Sequence, residues 1–215
     1  FNKLSTMEKS TRFWDRVADN SGDHLGATSQ KTIALSLPYL KTQDLVLDFG
    51  CGPGNLSNAV AEHVRQVDGI DTSNSMISIA QARAAKQQTS NVHYASMDLF
   101  DPRLKVNYYD AVLAFNVLPY ISDVTQVAER MAALLKPGGH FISATACLGD
   151  GLHPLRPLMF IMSKLSIVPR MQFYKEHKLQ AQIEAAGFQL IALEKLSALP
   201  EYLLVMKHIG IDQSP

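Results

Sequence analysis

The chain has 215 residues, 47% of them apolar and 19% charged, with 20 basic and 20 acidic side chains that cancel. At roughly 100–200 residues per domain this is one domain, or one with a small extra lobe, and the composition is too apolar for a disordered chain. Zero net charge excludes a protein held to nucleic acid by bulk electrostatics and leaves only a local patch for that role. Cys51 and Cys147 are the two cysteines. They make no disulfide framework and fit a reducing compartment, so the expected location is the cytoplasm. No signal-peptide pattern opens the chain, and no run of about 18 or more apolar residues could span a bilayer.

The first 40 residues read as one or two helices with Phe13, Trp14 and Val17 on one face. From Leu45 onward, short apolar runs alternate with amphipathic stretches. Leu45-Val46-Leu47-Asp48-Phe49 has the pattern of a buried strand ended by glycines, and Leu56, Ala59, Val60, His63 and Val64 then recur at helical spacing. Val67–Ile70 is a second strand. Met76, Ile77, Ala80 and Ala84 mark a helix with Ser73 or Asn74 as its cap. Val92–Ala95 and Ala111–Phe115 are the third and fourth strands. Val124, Val127, Ala128, Met131 and Leu135 mark a helix stopped by Lys136-Pro137-Gly138-Gly139. Phe141–Ala144 is a fifth strand. Residues 145–174 break the pattern with glycines and prolines around Leu158-Met159-Phe160-Ile161-Met162, and read as an inserted cap. A helix over Lys175–Ala186 and two closing strands, Phe188–Leu193 and Tyr202–Met206, complete the chain. Apolar strands alternating with helices predict an open parallel sheet covered on both faces, with ligands at the carboxyl ends of its strands.

Between the first strand and the first helix of that sheet lies Asp48-Phe49-Gly50-Cys51-Gly52-Pro53-Gly54-Asn55. Three alternate glycines let a backbone turn sharply and pass close to a ligand, and the helix N-terminus beyond offers free N–H groups. A nicotinamide fingerprint, G-x-G-x-x-G, needs its third glycine at position 55, where Asn55 stands. The pattern D-x-G-x-G-x-G instead resembles the first motif of class I S-adenosylmethionine-dependent methyltransferases.

Four further segments carry the same resemblance in order. Gly69-Ile70-Asp71-Thr72-Ser73-Asn74-Ser75-Met76 resembles the family's second motif, Asn91–Leu99 the third, Tyr109–Leu118 the fourth-strand motif, and Leu134-Leu135-Lys136-Pro137-Gly138-Gly139 the turn before the fifth strand. The short N-terminal run Phe13-Trp14-Asp15-Arg16-Val17-Ala18-Asp19 resembles the opening of quinone-biosynthesis-type and methyltransferase type 11 members, in which this helix covers the cofactor. The resemblance implies a Rossmann-like α/β fold: a doubly wound, mostly parallel seven-stranded sheet with the last strand antiparallel. Residues 1–215 would form one domain, with a cofactor half over about 44–144, an N-terminal helical cover and the cap over about 145–174.

The resemblance also implies roles by position. Asp48 would lie near the cofactor's amino group, and Gly50, Cys51, Gly52 and Asn55 would pass under its methionine part. Asp71 would accept the ribose diol beside Thr72. Met76 would pack on adenine, with a plain core role as its alternative. Asp98 would accept the adenine amino group, with Asp101 as a rival, while Met97 and the backbone of Leu99 complete that wall. Phe115 and Asn116 would sit under the sulfonium. The acceptor side departs from many small-molecule members, which carry two histidines after that asparagine; Pro119 and Tyr120 stand there. An Asn-Pro-Pro-Tyr motif is likewise missing, which counts against a nucleic-acid or protein amide acceptor.

The candidate catalytic groups are therefore Tyr120, His153 and Tyr174, with His177 beside them. Each also fits simple packing or solvent exposure. The cap's apolar run either lines a pocket for a hydrophobic acceptor or forms a core helix, and Arg156, Lys164 and Arg170 permit shallow membrane contact. No metal-ligand spacing is seen among the His and Cys residues. The expected activity is methyl transfer from S-adenosylmethionine to a small, partly apolar metabolite, leaving S-adenosylhomocysteine. The alternatives are a methyltransferase acting on RNA or protein, and a non-catalytic cofactor-binding module.

Overall fold

The computed structural model describes residues 13–15, 17, 25–150, 155–165 and 167–210. Its core is a seven-stranded sheet in the order β3-β2-β1-β4-β5-β7-β6. The strands are β1 (Leu45–Phe49), β2 (Gln66–Asp71), β3 (Val92–Ser96), β4 (Tyr109–Phe115), β5 (Leu135–Ala146), β6 (Phe188–Lys195) and β7 (Glu201–His208). The first five pair in parallel, while β7 lies antiparallel between β5 and β6. The expected doubly wound sheet with an antiparallel last strand is the observed one.

Helices α1 (Ala27–Ser36), α2 (Asn55–Ala61), α3 (Asn74–Gln87), α4 (Val124–Leu134), α5 (Leu155–Lys164) and α6 (Glu176–Glu184) connect or flank the strands. Residues Phe13, Trp14, Asp15 and Val17 also have helical backbone. Alternation along β4 shows why both faces need cover. Val112 and Ala114 join a core with Met131 and Leu134 of α4 and Leu179 and Ile183 of α6. Ala111, Leu113 and Phe115 point the other way, into a core with Val60 and Ala61 of α2. A strand buried on both sides has to be apolar at every position, which is why β4 reads as an unbroken run.

Several boundaries differ from the sequence expectation for local reasons. Helix α2 stops at Ala61, before His63 and Val64. Lys175 caps α6 rather than opening it. The Lys136–Gly139 segment ends α4 but belongs to a bulged entry into β5, where the pairing with β4 shifts register between Tyr109 and Ala111. A Cβ at Gly139 would stand 2.8 Å from the Asp110 carbonyl oxygen, so the second glycine is a close-approach residue. In α5, Phe160 is 52% exposed and Leu158 and Ile161 are similarly bare, so these residues do not form a core helix. No helix among the described residues is long and apolar enough to cross a membrane.

Candidate functional site

Strand β1 has β2 on one side and β4 on the other, so the chain's crossovers diverge there. In open α/β sheets this switch point opens a crevice at the strands' carboxyl ends. The loop after β1 and the residues after β4 meet at this crevice.

All three loop glycines have left-handed backbone: Gly50 at φ +72°, Gly52 at φ +51° and Gly54 at φ +79°. Their surroundings separate their roles. A Cβ at Gly50 would lie 2.6 Å from Cγ2 of Val117, and one at Gly54 would lie 2.5 Å from the Tyr94 hydroxyl and 2.9 Å from Cβ of Ala80. A Cβ at Gly52 would meet nothing within 4 Å. Gly50 and Gly54 are thus glycines because the protein fills the space. Gly52 faces open space next to a carboxylate, a cradle suited to a ligand.

The loop is pinned by β2 beneath it. The N–H groups of Gly50 and Cys51 both donate to the Ile70 carbonyl, at 2.8 and 3.0 Å. Gly52 N–H donates to Asp71 Oδ2 at 3.0 Å, and Ser73 N–H donates to Asp71 Oδ1 at 2.9 Å. Asp71 is half-buried. Burial pushes its carboxyl above the usual range, the N–H groups of Ser73, Gly52 and Thr72 draw it back, and the charge of Asp15 adds to the rise. A carboxylate has about four lone-pair positions, so even with these backbone donors it keeps capacity for a ligand's hydroxyl.

Asp48 is 2% exposed, and Ser57 Oγ donates to its Oδ2 at 2.5 Å. Burial lifts its carboxyl to about 6; the Ser57 bond opposes the rise and the charge of Asp71 adds to it. Burial also pushes the Cys51 thiol well up, with Asp48 and Asp71 contributing, so Cys51 stays protonated and unreactive. Asn55 begins α2, whose N-cap is Gly54.

On the other expected positions, the structure is mixed. Thr72 is exposed beside Asp71. Met76 is 4% exposed, and its N–H is capped by Ser73 Oγ at 3.1 Å. Met97 N–H donates to the Asp71 carbonyl at 3.0 Å, tying the loop after β3 to the end of β2. Asp98 is exposed and accepts the Phe100 N–H at 2.7 Å, whereas Leu99 buries its side chain completely in the core. The rival Asp101 is held by Arg103 at 2.7 Å. Phe115 ends β4 buried, and Asn116 follows exposed at φ +59°, its N–H donating to the Ala144 carbonyl at 2.8 Å.

Around this crevice, Tyr120 packs edge-on against Trp14 with ring centroids 5.0 Å apart, and Ser73 Oγ donates to Asp15. Trp14 and Asp15 thus bridge from the turn after β4 to the end of β2. The Tyr174 hydroxyl donates to the Ile121 carbonyl at 3.1 Å. Burial raises Tyr120, and burial with the Asp123 charge raises Tyr174 to about 12, so both hydroxyls keep their protons near neutrality. His177 is exposed on α6, and His153 lies outside the described residues. No group of His, Cys, Asp and Glu among the described residues could hold a metal ion.

Three supports escaped the sequence reading. Ser57 stands in the first turn of α2, facing Asp48. Arg83 of α3 donates from its guanidinium to the Pro53 carbonyl. The Tyr94 hydroxyl of β3 donates to Asn58 Oδ1 at 2.8 Å and stands 3.2 Å from the Gly54 carbonyl oxygen, a second acceptor for the same proton. Its ring also fills the space that a Cβ on Gly69 would need, at 2.6 Å. Gly69 inside an otherwise apolar strand was the available signal, since such a glycine marks close approach.

Comparison with known proteins agrees with this geometry. A family model described as a methyltransferase domain matches residues 24–193. The ubiquinone biosynthesis O-methyltransferase of Coxiella burnetii (strain Dugway 5J108-111) is 36% identical over 100 residues, 46% of this chain and 42% of that protein. The protein of the same name from Bradyrhizobium sp. (strain ORS 278) is 37% identical over 101 residues, 46% of this chain and 39% of that protein. The chain therefore matches less than half the length of these relatives. Among solved structures, a chain of the complex of the Haloferax volcanii Trm112 methyltransferase activator superposes with a TM-score of 0.75 at 17% identity, covering 92% of this chain and 98% of that one. Geranyl diphosphate C-methyltransferase from Streptomyces coelicolor A3(2) gives 0.69 at 14% identity, covering 83% and 77%. At these identities the structural likeness speaks for the fold.

Proposed function

Because the chain belongs to the methyltransferase-domain family, we propose that it transfers a methyl group from S-adenosylmethionine to a small, partly apolar metabolite. The observation that carries this is the left-handed Gly52, open to a ligand and bonded to Asp71 across the β1–β2 ends. When bound, S-adenosylmethionine supplies an electrophilic methyl group on a sulfonium. Asp71 fits the ribose diol, Asp98 the adenine amino group, and Asp48 the amino group of the methionine part. Gly50, Cys51, Gly52 and Asn55 bring backbone close to that part, and Thr72, Met76, Met97 and Leu99 fit around the adenine and ribose. Phe115 and Asn116 stand at the end of β4, on the acceptor side.

Methyl transfer from a sulfonium is an in-line displacement, so the protein's tasks are alignment and exclusion of water. Trp14 and Tyr120 supply an apolar cover for this. Tyr120 holds its proton, so it orients an acceptor by donation rather than deprotonating it, while Tyr174 gives its proton to the Ile121 carbonyl and offers an acceptor only its oxygen lone pairs. The relatives' names support a small-molecule acceptor. The two free, buried thiols suit a cytoplasmic setting.

Calorimetric titration with S-adenosylhomocysteine tests the reading. We expect saturable one-to-one binding. No heat at any soluble concentration, together with NADH fluorescence that responds to the protein, would transfer the site to the nicotinamide class.

A further inference from the structure

Between the cap and α6 lies a cavity of about 470 Å³ that the cofactor reading leaves unused. Its walls include Arg156 of α5, Lys175 and Lys178 at the start of α6, Gln182, Phe173 and Tyr174. No carboxylate is among its lining residues. The Arg156 guanidinium lies over the Phe173 ring, 5.8 Å from its centroid, which holds that charge at the cavity.

Three cations gathered on one hollow repel one another, and a chain of net charge zero has no surplus of base to explain the grouping. Two acids stand beside the cavity, and Glu176 buries one carboxylate oxygen that has no hydrogen-bond partner. Asp150 Oδ2 accepts the Glu176 N–H at 3.0 Å, and the charges of Asp150 and Glu176 bear on Cys147 and Tyr202 of the sheet.

The cavity also shares a wall with the crevice. Gly149 N–H donates to the Tyr174 carbonyl at 2.8 Å, and Gln172 N–H donates to the Pro119 carbonyl at 2.6 Å. Residues 172–174 are therefore a strip bonded on one side to the chain leaving β5 and on the other to the Leu118–Tyr120 turn after β4. Tyr174 belongs to both places: it lines the cavity, and its hydroxyl reaches Ile121.

We propose that this cavity is an oxyanion subsite that takes the carboxylate or phosphate of a small methyl acceptor, whose apolar or aromatic body lies along Phe173 and Tyr174. The assignment rests on the methyltransferase reading, and it narrows the acceptor class to acids. The test uses the whole chain with benzoate and inorganic pyrophosphate as probes, each titrated by calorimetry with and without saturating S-adenosylhomocysteine. We expect saturable binding of at least one probe, shifted by the cofactor product because both sites share the 172–174 strip. A preference for benzoate identifies a carboxylate head, and a preference for pyrophosphate a phosphate head. The Arg156→Glu/Lys178→Glu double variant should lose roughly tenfold or more in probe affinity while S-adenosylhomocysteine affinity stays unchanged; both side chains are exposed, and Lys178→Gln is a milder control. No saturable binding, or binding indifferent to the double variant, overturns the subsite. Binding that ignores S-adenosylhomocysteine leaves a free-anion site and overturns the acceptor assignment. Failure of S-adenosylhomocysteine to bind would overturn the methyltransferase reading separately, since that titration involves none of the cavity residues.

Discussion

Asp48 is a buried acid whose ionisation the fold resists, and this sets two properties against each other. Its carboxyl titrates at about 6 in the folded chain against 3.8 when unperturbed. The folded state therefore binds the proton more tightly than the unfolded state does. Stability from this group is greatest below about pH 4 and is lost as pH rises through 6. The exposed Asp101–Arg103 pair, with Asp101 drawn down to about 2, acts in the opposite sense but at lower pH. Asp48→Asn keeps an acceptor for Ser57 and removes the ionisation. We expect it to raise thermal stability at pH 7.5, by at most about 3 kcal/mol, while weakening S-adenosylhomocysteine binding. Thermal melts from pH 4 to 8 and calorimetry check both halves; a variant that loses stability at pH 7.5 would show that Asp48 is a favourable structural group. Tyr94 makes a second case at the same scale. Tyr94→Phe keeps the ring that fits against Gly54 and Gly69 but gives up the bonds to Gly54 and Asn58. The expected loss is about 1 kcal/mol of stability, with a weaker cofactor site because Gly54 caps α2. Unchanged S-adenosylhomocysteine affinity in a destabilised variant would confine Tyr94 to packing.

The glycine loop behaves as one element with an inner and an outer side. Each Gly→Ala change there meets a left-handed backbone cost of about 1–2 kcal/mol. Gly52→Ala adds no clash, so the chain should fold with little further loss and bind S-adenosylhomocysteine roughly tenfold or more weakly, about 1.4 kcal/mol. Gly54→Ala drives a methyl group into Tyr94 and Ala80 and should cost stability well beyond the backbone term. Melting curves beside binding isotherms separate the two; equal effects of both variants on both readouts would remove the distinction between cradle and packing. The alternation of glycines was legible in the sequence because positive φ and close approach leave few other residues. The division of labour among them was not, because it depends on Tyr94, Ala80 and Val117 arriving from other elements. The strands were legible for a similar local reason: β1 and β4 are buried on both faces and read as apolar runs. The bulge at Lys136–Gly139 was not, since pairing with Asp110 and β4 decides it, and neither was the end of α2, where the distant Asn91 donates to the Ala61 carbonyl. The cap's apolar run read either as the lining of an acceptor pocket or as a core helix, and α5 carries Leu158, Phe160 and Ile161 on the surface. Composition alone does not say which way a helix faces.

At the scale of the whole molecule, the proposal of one domain makes a demand on cooperativity. The sheet carries one core with α4 and α6 and another with α2, on opposite faces of the same strands. Leu134 and Leu113 are fully buried, one in each core. Leu134→Ala and Leu113→Ala should each cost about 2–5 kcal/mol. If the sheet is a shared wall, either substitution lowers the stability of both sides together. The chain offers an internal reporter for this, because its single tryptophan, Trp14, lies in the N-terminal cover against Tyr120. Tryptophan fluorescence follows the cover, and far-ultraviolet circular dichroism follows the sheet and helices. In a single cooperative unit the two denaturant transitions coincide in the parent chain and shift together in both variants. A fluorescence transition that precedes the dichroic one, and stays in place when Leu134 or Leu113 is truncated, would make the cover a separately melting segment. Bound S-adenosylhomocysteine would then be expected to draw the two transitions together, since a ligand held between cover and sheet stabilises only the state in which both are formed.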